Sequence, residues 1–287
     1  MGTILSMLFL LCQVNPIAQH SNEVCCPSAQ RSLHAVAHAS IREQRIYTAW
    51  NQYIDGTRDQ SNGGITNNSN NADFAARLTR LDVKPDHQAA FRKVVSDYVN
   101  FSMNQVSNIL SEAYYEQDHP AVVWIIERWN SKTALEEADR SAPSNAIMSL
   151  AKTALVKPAK QIEVTDLEPI TREEWRSVAR KTDDPITIML FVDAKEGTED
   201  NFRKVYHTAM PQFRSEQGVI TYQLLQLESD HTQFVTYEKF RNEDAFQYHL
   251  KFPPIQPVID FLNTSLKKQP FEDGLHRLVE FAPLIRK

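Results

Sequence analysis

A stretch that occurs twice constrains this chain more than anything else in it. Phe234–Phe252 reads FVTYEKFRNEDAFQYHLKF, and about 110 residues earlier Val123–Ala138 reads VWIIERWNSKTALEEA. Glu127 matches Glu238, Trp129 matches Phe240, and Ala134-Leu135 match Ala245-Phe246. In each copy, alternation of side chains predicts a strand, with Phe234, Thr236, Glu238 and Phe240 on one side and Val235, Tyr237 and Lys239 on the other. Asn242 then caps a helix on which Ala245, Phe246 and His249 recur at helical spacing. Two copies of one supersecondary unit mean a duplicated domain. The copies differ at one chemical point: Ala138 stands where His249 stands.

The surrounding pattern repeats as well. Ala75–Val83 alternates like a strand, and Pro85-Asp86 opens a helix through about Ile109. Ser111–Glu116 and Ala121–Trp129 read as paired strands across Gln117–Pro120. Ser131–Ala154 is helical with a break near Ser141-Ala142-Pro143, and Gln161–Leu167 closes the unit. In the second copy Ile186–Val192, a helix over Glu199–Gln217 ended by Gly218, Val219–Leu227, Phe234–Phe240, a proline-interrupted helix and Leu275–Phe281 follow in the same order. Each half is βαββαβ, so the expected class is α+β with two tandem ferredoxin-like domains. The expected boundaries are 74–170 and 185–287, joined by a capped, charged connector over 171–184 in which Thr171 and Glu174 form a capping box.

Composition narrows the functions. A net charge of −5 and no basic stripe with interleaved aromatics give no reason to expect nucleic acid. Seven glycines in 287 residues, with neither GxGxxG nor GxxxxGK[ST], argue against a phosphate loop. GxSxG and HExxH are absent, and Cys12, Cys25 and Cys26 all precede the repeats, so the body carries no Cys nucleophile, disulfide framework or Cys-based metal site. His34 and His38 lie one helical turn apart without a third ligand at motif spacing, which reads as a solvated face, and no metal is expected. The apolar run Ile4–Leu11, before Pro16-Ile17-Ala18, is short of the roughly 20 residues a bilayer span needs. It resembles a secretory signal over 1–18 without a basic n-region; export is the expectation and a cytoplasmic location the alternative. Residues 19–73 read as an extension ending in a polar Asn/Gly/Ser linker.

With this pattern laid out, the chain resembles the antibiotic-biosynthesis monooxygenase (ABM) family of dimeric α+β barrels. The resemblance rests on Glu238-Lys239-Phe240, Ala245 and His249, on Gly218-Val219-Ile220-Thr221-Tyr222, and on the closing Glu163–Ile170, and it covers about 200 of the 287 residues. It implies that the two halves pair within one chain as an intramolecular α/β barrel, since the sheet faces away from the helices would otherwise be exposed apolar surface. Further oligomerisation is left open. It also implies a small aromatic substrate of phenol or quinol type, oxygenated by O2 without a cofactor. Such a substrate must lose a proton, and His249 is the side chain suited to take it near neutrality. Tyr222, Tyr237, Phe240, Phe252 and Trp129 are the candidate walls and hydrogen-bond partners, and Glu238 would orient His249 or pair with an arginine. Ala138 cannot move a proton, so one competent cavity, in the second half, is expected. Relatives of this fold also bind haem through a histidine on this helix, so a haem-binding or haem-degrading barrel and a non-catalytic ligand-binding barrel are the alternatives.

Overall fold

A computed structural model describes residues 74–267 and 274–287. The cysteines, His34, His38 and the apolar N-terminal run lie outside the described residues. In chain order the elements are β1 (Ala75–Asp82), a 3-10 turn (Pro85–His87), α1 (Gln88–Met103), β2 (Asn108–Glu116), β3 (Val122–Trp129), α2 (Lys132–Asp139), α3 (Ala142–Ala154), β4 (Lys160–Asp166) and α4 (Arg172–Trp175). The second half continues with β5 (Ile186–Asp193), α5 (Glu199–Ser215), β6 (Val219–Leu227), β7 (Gln233–Phe240), α6 (Glu243–His249), a 3-10 turn (Pro253–Ile255), α7 (Gln256–Thr264) and β8 (Leu275–Ala282).

The eight strands close one barrel in the order β1-β3-β2-β8-β5-β7-β6-β4. Each half contributes a four-stranded antiparallel sheet, and two antiparallel seams, β2 with β8 and β4 with β6, join the halves. Among the described residues no sheet edge is left unpaired, the expected pairing within one chain. The duplication holds in register: Ala75 faces Trp129 as Ile186 faces Phe240. From β1 to α2 equivalent residues are 111 apart, as in Glu127 and Glu238.

Period-two alternation sends each strand's side chains into two environments. One set fills the barrel, where Leu78, Trp124 and Ile126 of the first half meet Met189, Phe191, Val235 and Leu278 of the second. The other set lies under the helices. Phe91, Val95, Tyr98 and Val99 of α1 cover Val123 and Ile125, and Phe202 of α5 packs on Phe234 and Phe261 at 4.7–4.8 Å between ring centroids.

Some boundaries differ from those expected from the sequence, each for a local reason. Helix α1 stops at Met103 rather than near Ile109. The carbonyls of Met103, Asn108 and Ile109 accept from the Arg176 guanidinium at 2.9–3.2 Å instead of from a next helical turn. The expected break near Ser141 is real, because Ser141 caps α3 through the Ser144 amide with Pro143 in the first turn. The capping box is also present, with Glu174 accepting from the Thr171 amide at 2.9 Å and Thr171 from the Glu174 amide at 3.2 Å. Helix occupies only Arg172–Trp175 of the connector. Trp175 is buried after that single turn, with the Arg128 guanidinium 3.6 Å above its ring. The prolines after His249 split the expected helix into α6, the 3-10 turn and α7, and Pro253 and Pro257 sit in first turns, where a missing N–H costs nothing.

Candidate active site on the helix face of the second half

The site begins with a glycine. A Cβ at Gly218 would stand 2.3 Å from Cβ of Ala245, so only glycine lets α6 settle against the α5–β6 junction. Asn242 starts α6 by accepting from the Ala245 amide at 2.9 Å. One turn on from Ala245, His249 faces the C-cap of α5. There its Nδ1 is 2.7 Å from Oε1 of Glu216, and both groups are buried, His249 being 1% exposed. A carboxylate only accepts, so a hydrogen is assigned to Nδ1, and in the neutral imidazole Nε2 then carries the lone pair. Nε2 is buried and has no hydrogen-bond partner among the described residues. The rings of Phe213, Tyr222 and Phe240 surround the imidazole at centroid distances of 4.8, 5.2 and 5.3 Å.

Glu238 lies beside this box with a different set of partners. Its Oε1 accepts from the Tyr222 hydroxyl at 2.9 Å and the Thr236 hydroxyl at 2.6 Å. Burial pushes its carboxyl above the usual range, an effect that His249, Thr236 and Tyr222 offset only in part. Burial, and then Glu238, hold the Tyr222 hydroxyl well above its ordinary value, so it stays a neutral donor.

The structure thus brings His249, Tyr222, Glu238 and Phe240 together. Tyr237 points the other way from β7 into the barrel, where its hydroxyl meets those of Tyr114 and the Glu112 carboxylate. Phe252 packs on Tyr248 at 5.7 Å. Trp129 belongs to the first half, its Nε1 donating to Glu127 at 3.3 Å. Glu216, which holds His249, is not among the residues to which the strand and helix pattern points. Its signal lies in the duplication: Gln105 occupies its place in the first copy, as Ala138 occupies that of His249.

The equivalent space in the first half is filled by ionic contacts. Arg77 donates to Asp139 at 2.6 and 2.8 Å and to Glu127 at 3.0 Å, and Tyr98 donates to Glu127 at 2.6 Å. Burial pulls the Arg77 guanidinium down, but Asp139 and Glu127 outweigh it and hold the group firmly charged. Ser102, Ser111, Gln105 and Ala138 replace Phe213, Tyr222, Glu216 and His249, so neither the aromatic box nor the base exists there. Among the described residues no group of three or more His, Cys, Asp or Glu is placed to hold a metal ion, and no helix is long and apolar enough to cross a membrane.

A closed antiparallel barrel built from two split-βαβ halves, with a buried histidine–glutamate pair under the helices of one, defines a dimeric α+β barrel fused into a single chain. The pattern of the antibiotic biosynthesis monooxygenase family (ABM) matches residues 75–149 and 185–258, more than half of the sequence, and the chain belongs to that family. A candidate monooxygenase of Fusobacterium nucleatum superposes with a TM-score of 0.62 at 14% identity, over 73% of this chain and 93% of that one. An anthrone oxidase-like protein superposes with a TM-score of 0.51 at 8% identity, over 76% and 97%. An uncharacterised protein of Synechocystis sp. is 26% identical over 98 residues; the match spans 34% of this chain and 66%, just under two thirds, of that relative's length.

Proposed function

We propose that the chain is a cofactor-independent monooxygenase that oxidises a small electron-rich aromatic, a phenol, quinol or anthrone, with O2. The observation that carries this reading is the buried His249, oriented through Nδ1 by Glu216 and presenting an unpartnered Nε2 inside three aromatic rings. Family membership supports it, and the fold shared with an anthrone oxidase-like protein favours the anthrone class.

In this reading Nε2 takes the acidic proton of the substrate, and Glu216 stabilises the imidazolium that forms. The rings of Phe213, Tyr222 and Phe240 exclude water and offer flat faces to the substrate anion. That anion passes an electron to O2, and the radical pair combines into a peroxide at carbon. Loss of water leaves a carbonyl. For an anthrone, one CH2 and one O2 become one C=O and one H2O, so the substrate supplies all four electrons and no external reductant is needed.

Oxygen uptake by the purified chain over a panel of quinols and anthrones tests this, with a visible spectrum of the same sample. The expected result is O2-dependent turnover without a Soret band, reduced about 100-fold or more in His249→Gln, the usual scale for removing a general base. A folded His249→Gln variant with the parent rate, or no turnover across the panel, sinks the reading.

A further inference from the structure

A cavity of about 180 Å3 lies at the β2–β8 seam, lined by residues that include Glu112, Lys239, Glu280, Arg176 and Arg286. It is separate from the His249 site, because Lys239 follows Glu238 on β7 and points to the opposite face of the sheet. We propose that this cavity binds a small organic monocarboxylate.

Lys239 is 5% exposed, with Nζ 2.6 Å from Oε1 of Glu112 and 3.5 Å from Oε2 of Glu280. The other oxygen of Glu112 accepts from the Tyr114 hydroxyl at 2.6 Å and from that of Tyr237. Nη1 of Arg286 is 3.2 Å from Glu280. Arg176 has a different environment. Its hydrogen bonds go to the carbonyls of Met103, Asn108 and Ile109 and to the Asn108 side chain, none of them anionic. Leaving aside Lys287, which also lines the space, three cations meet two carboxylates, an excess of one positive charge. Lys239 is buried and the two arginines half-buried, and cations drawn out of water in this way favour an anionic partner.

Met103, Leu110, Pro283 and Ile285 supply apolar wall. At about 30 Å3 per water, the space equals roughly six waters, room for a carboxylate with a ring-sized body. Lys239 serves as a fixed charge and not as a nucleophile: burial pulls its ammonium down, but Glu112 and Glu280 hold it above the ordinary value. A buried ion-pair cluster is weak evidence of a stabilising role. The pseudo-equivalent seam shows how such space can be closed. Arg214, 111 residues after Met103, fills it by donating to the carbonyls of Glu168 and Tyr222 at 2.7 and 3.0 Å and to Gln223 at 3.2 Å.

Titration calorimetry of the full chain with benzoate, its neutral isostere benzamide, and sodium chloride tests the proposal. Benzoate should bind saturably at one site per chain, with benzamide at least tenfold weaker and chloride giving no saturable heat. Arg176→Met and Arg286→Met, each checked for a parental melting curve, should each weaken benzoate at least tenfold, and His249→Gln should leave it unchanged. No saturable heat with benzoate overturns the proposal. So does equal binding of benzamide, parental affinity in both arginine variants, or loss of binding in His249→Gln, which would put the ligand in the helix-face site.

Discussion

At the scale of single residues, two buried carboxylates on opposite sides of β7, Glu112 of β2 against Lys239 and Glu238 of β7 itself, have their pKa values shifted in opposite directions. Glu112, inside the barrel, is pushed up by burial, but Lys239 and the tyrosine hydroxyls outweigh this and hold it below the usual range. It contributes stability above its unfolded pKa that is lost as pH falls through the folded value. Glu238 is raised. Above the ordinary carboxylate value of about 4.3 the folded chain therefore holds a proton there that the unfolded chain has lost. Stability then falls as pH rises through that window. Glu238→Gln keeps an oxygen to accept from Tyr222 and Thr236 and removes the titration. Its melting temperature relative to the parent should climb as pH rises from about 4.3, then level off. A difference that is flat or falls with pH sinks this account. Glu238, Phe240 and His249 were legible in the sequence because a strand's alternation and one helical turn place them by local geometry. Glu216 was not, because 33 residues separate it from His249 and only the packing of α6 on the end of α5 joins them.

At the scale of elements, that packing hangs on one missing Cβ. Gly218→Ala would drive a methyl into Ala245 at 2.3 Å, and the contact is between two short side chains that cannot swing aside. The overpacking should cost about 1–3 kcal/mol. By shifting α6 it should also loosen the His249–Glu216 pair, so the rate of aromatic oxidation falls along with the melting temperature. Adding Ala245→Gly removes the closest contact and leaves the Ala245 Cα at 3.2 Å, so a partial recovery of both is expected. Thermal denaturation and oxygen uptake on the three variants check this; a fully stable, fully active Gly218→Ala would rule it out. The identities of the elements were legible from period and turn chemistry, as with Asn242 at the start of α6 and the break near Ser141 between α2 and α3. Element ends were less so where a distant side chain decides them. Arg176 draws off the carbonyls beyond Met103, and nothing near Met103 in the sequence announces an arginine more than 70 residues away.

For the whole molecule, the fusion makes two unequal halves depend on each other. β6 and β8 find partners only in β2 and β4 of the first half once their own sheet is complete. The second half alone (185–287) would expose both strands and the apolar face carrying Met189, Phe191, Leu225 and Val235. Unpaired edges and an apolar face of this kind drive self-association. Expressed alone, it should elute as a homodimer in light-scattering chromatography, β6 of each copy taking the place of β2; a stable monomer would refute the interdependence. The duplication also says what that dimer lacks. With equivalent residues 111 apart, Gln223 would replace Glu112 beside Lys239, and Leu225 would replace Tyr114. A buried ammonium deprived of its nearer carboxylate costs about 3–5 kcal/mol. The homodimer should therefore melt well below the full chain, and Gln223→Glu, which restores a carboxylate opposite each Lys239, should raise its melting temperature. In the full chain Gln223 bonds Arg214 and the Glu168 carbonyl, so there the same substitution should bring no such gain. If Gln223→Glu acts alike in both, the Glu112–Lys239 pair is not what ties the first half to the second.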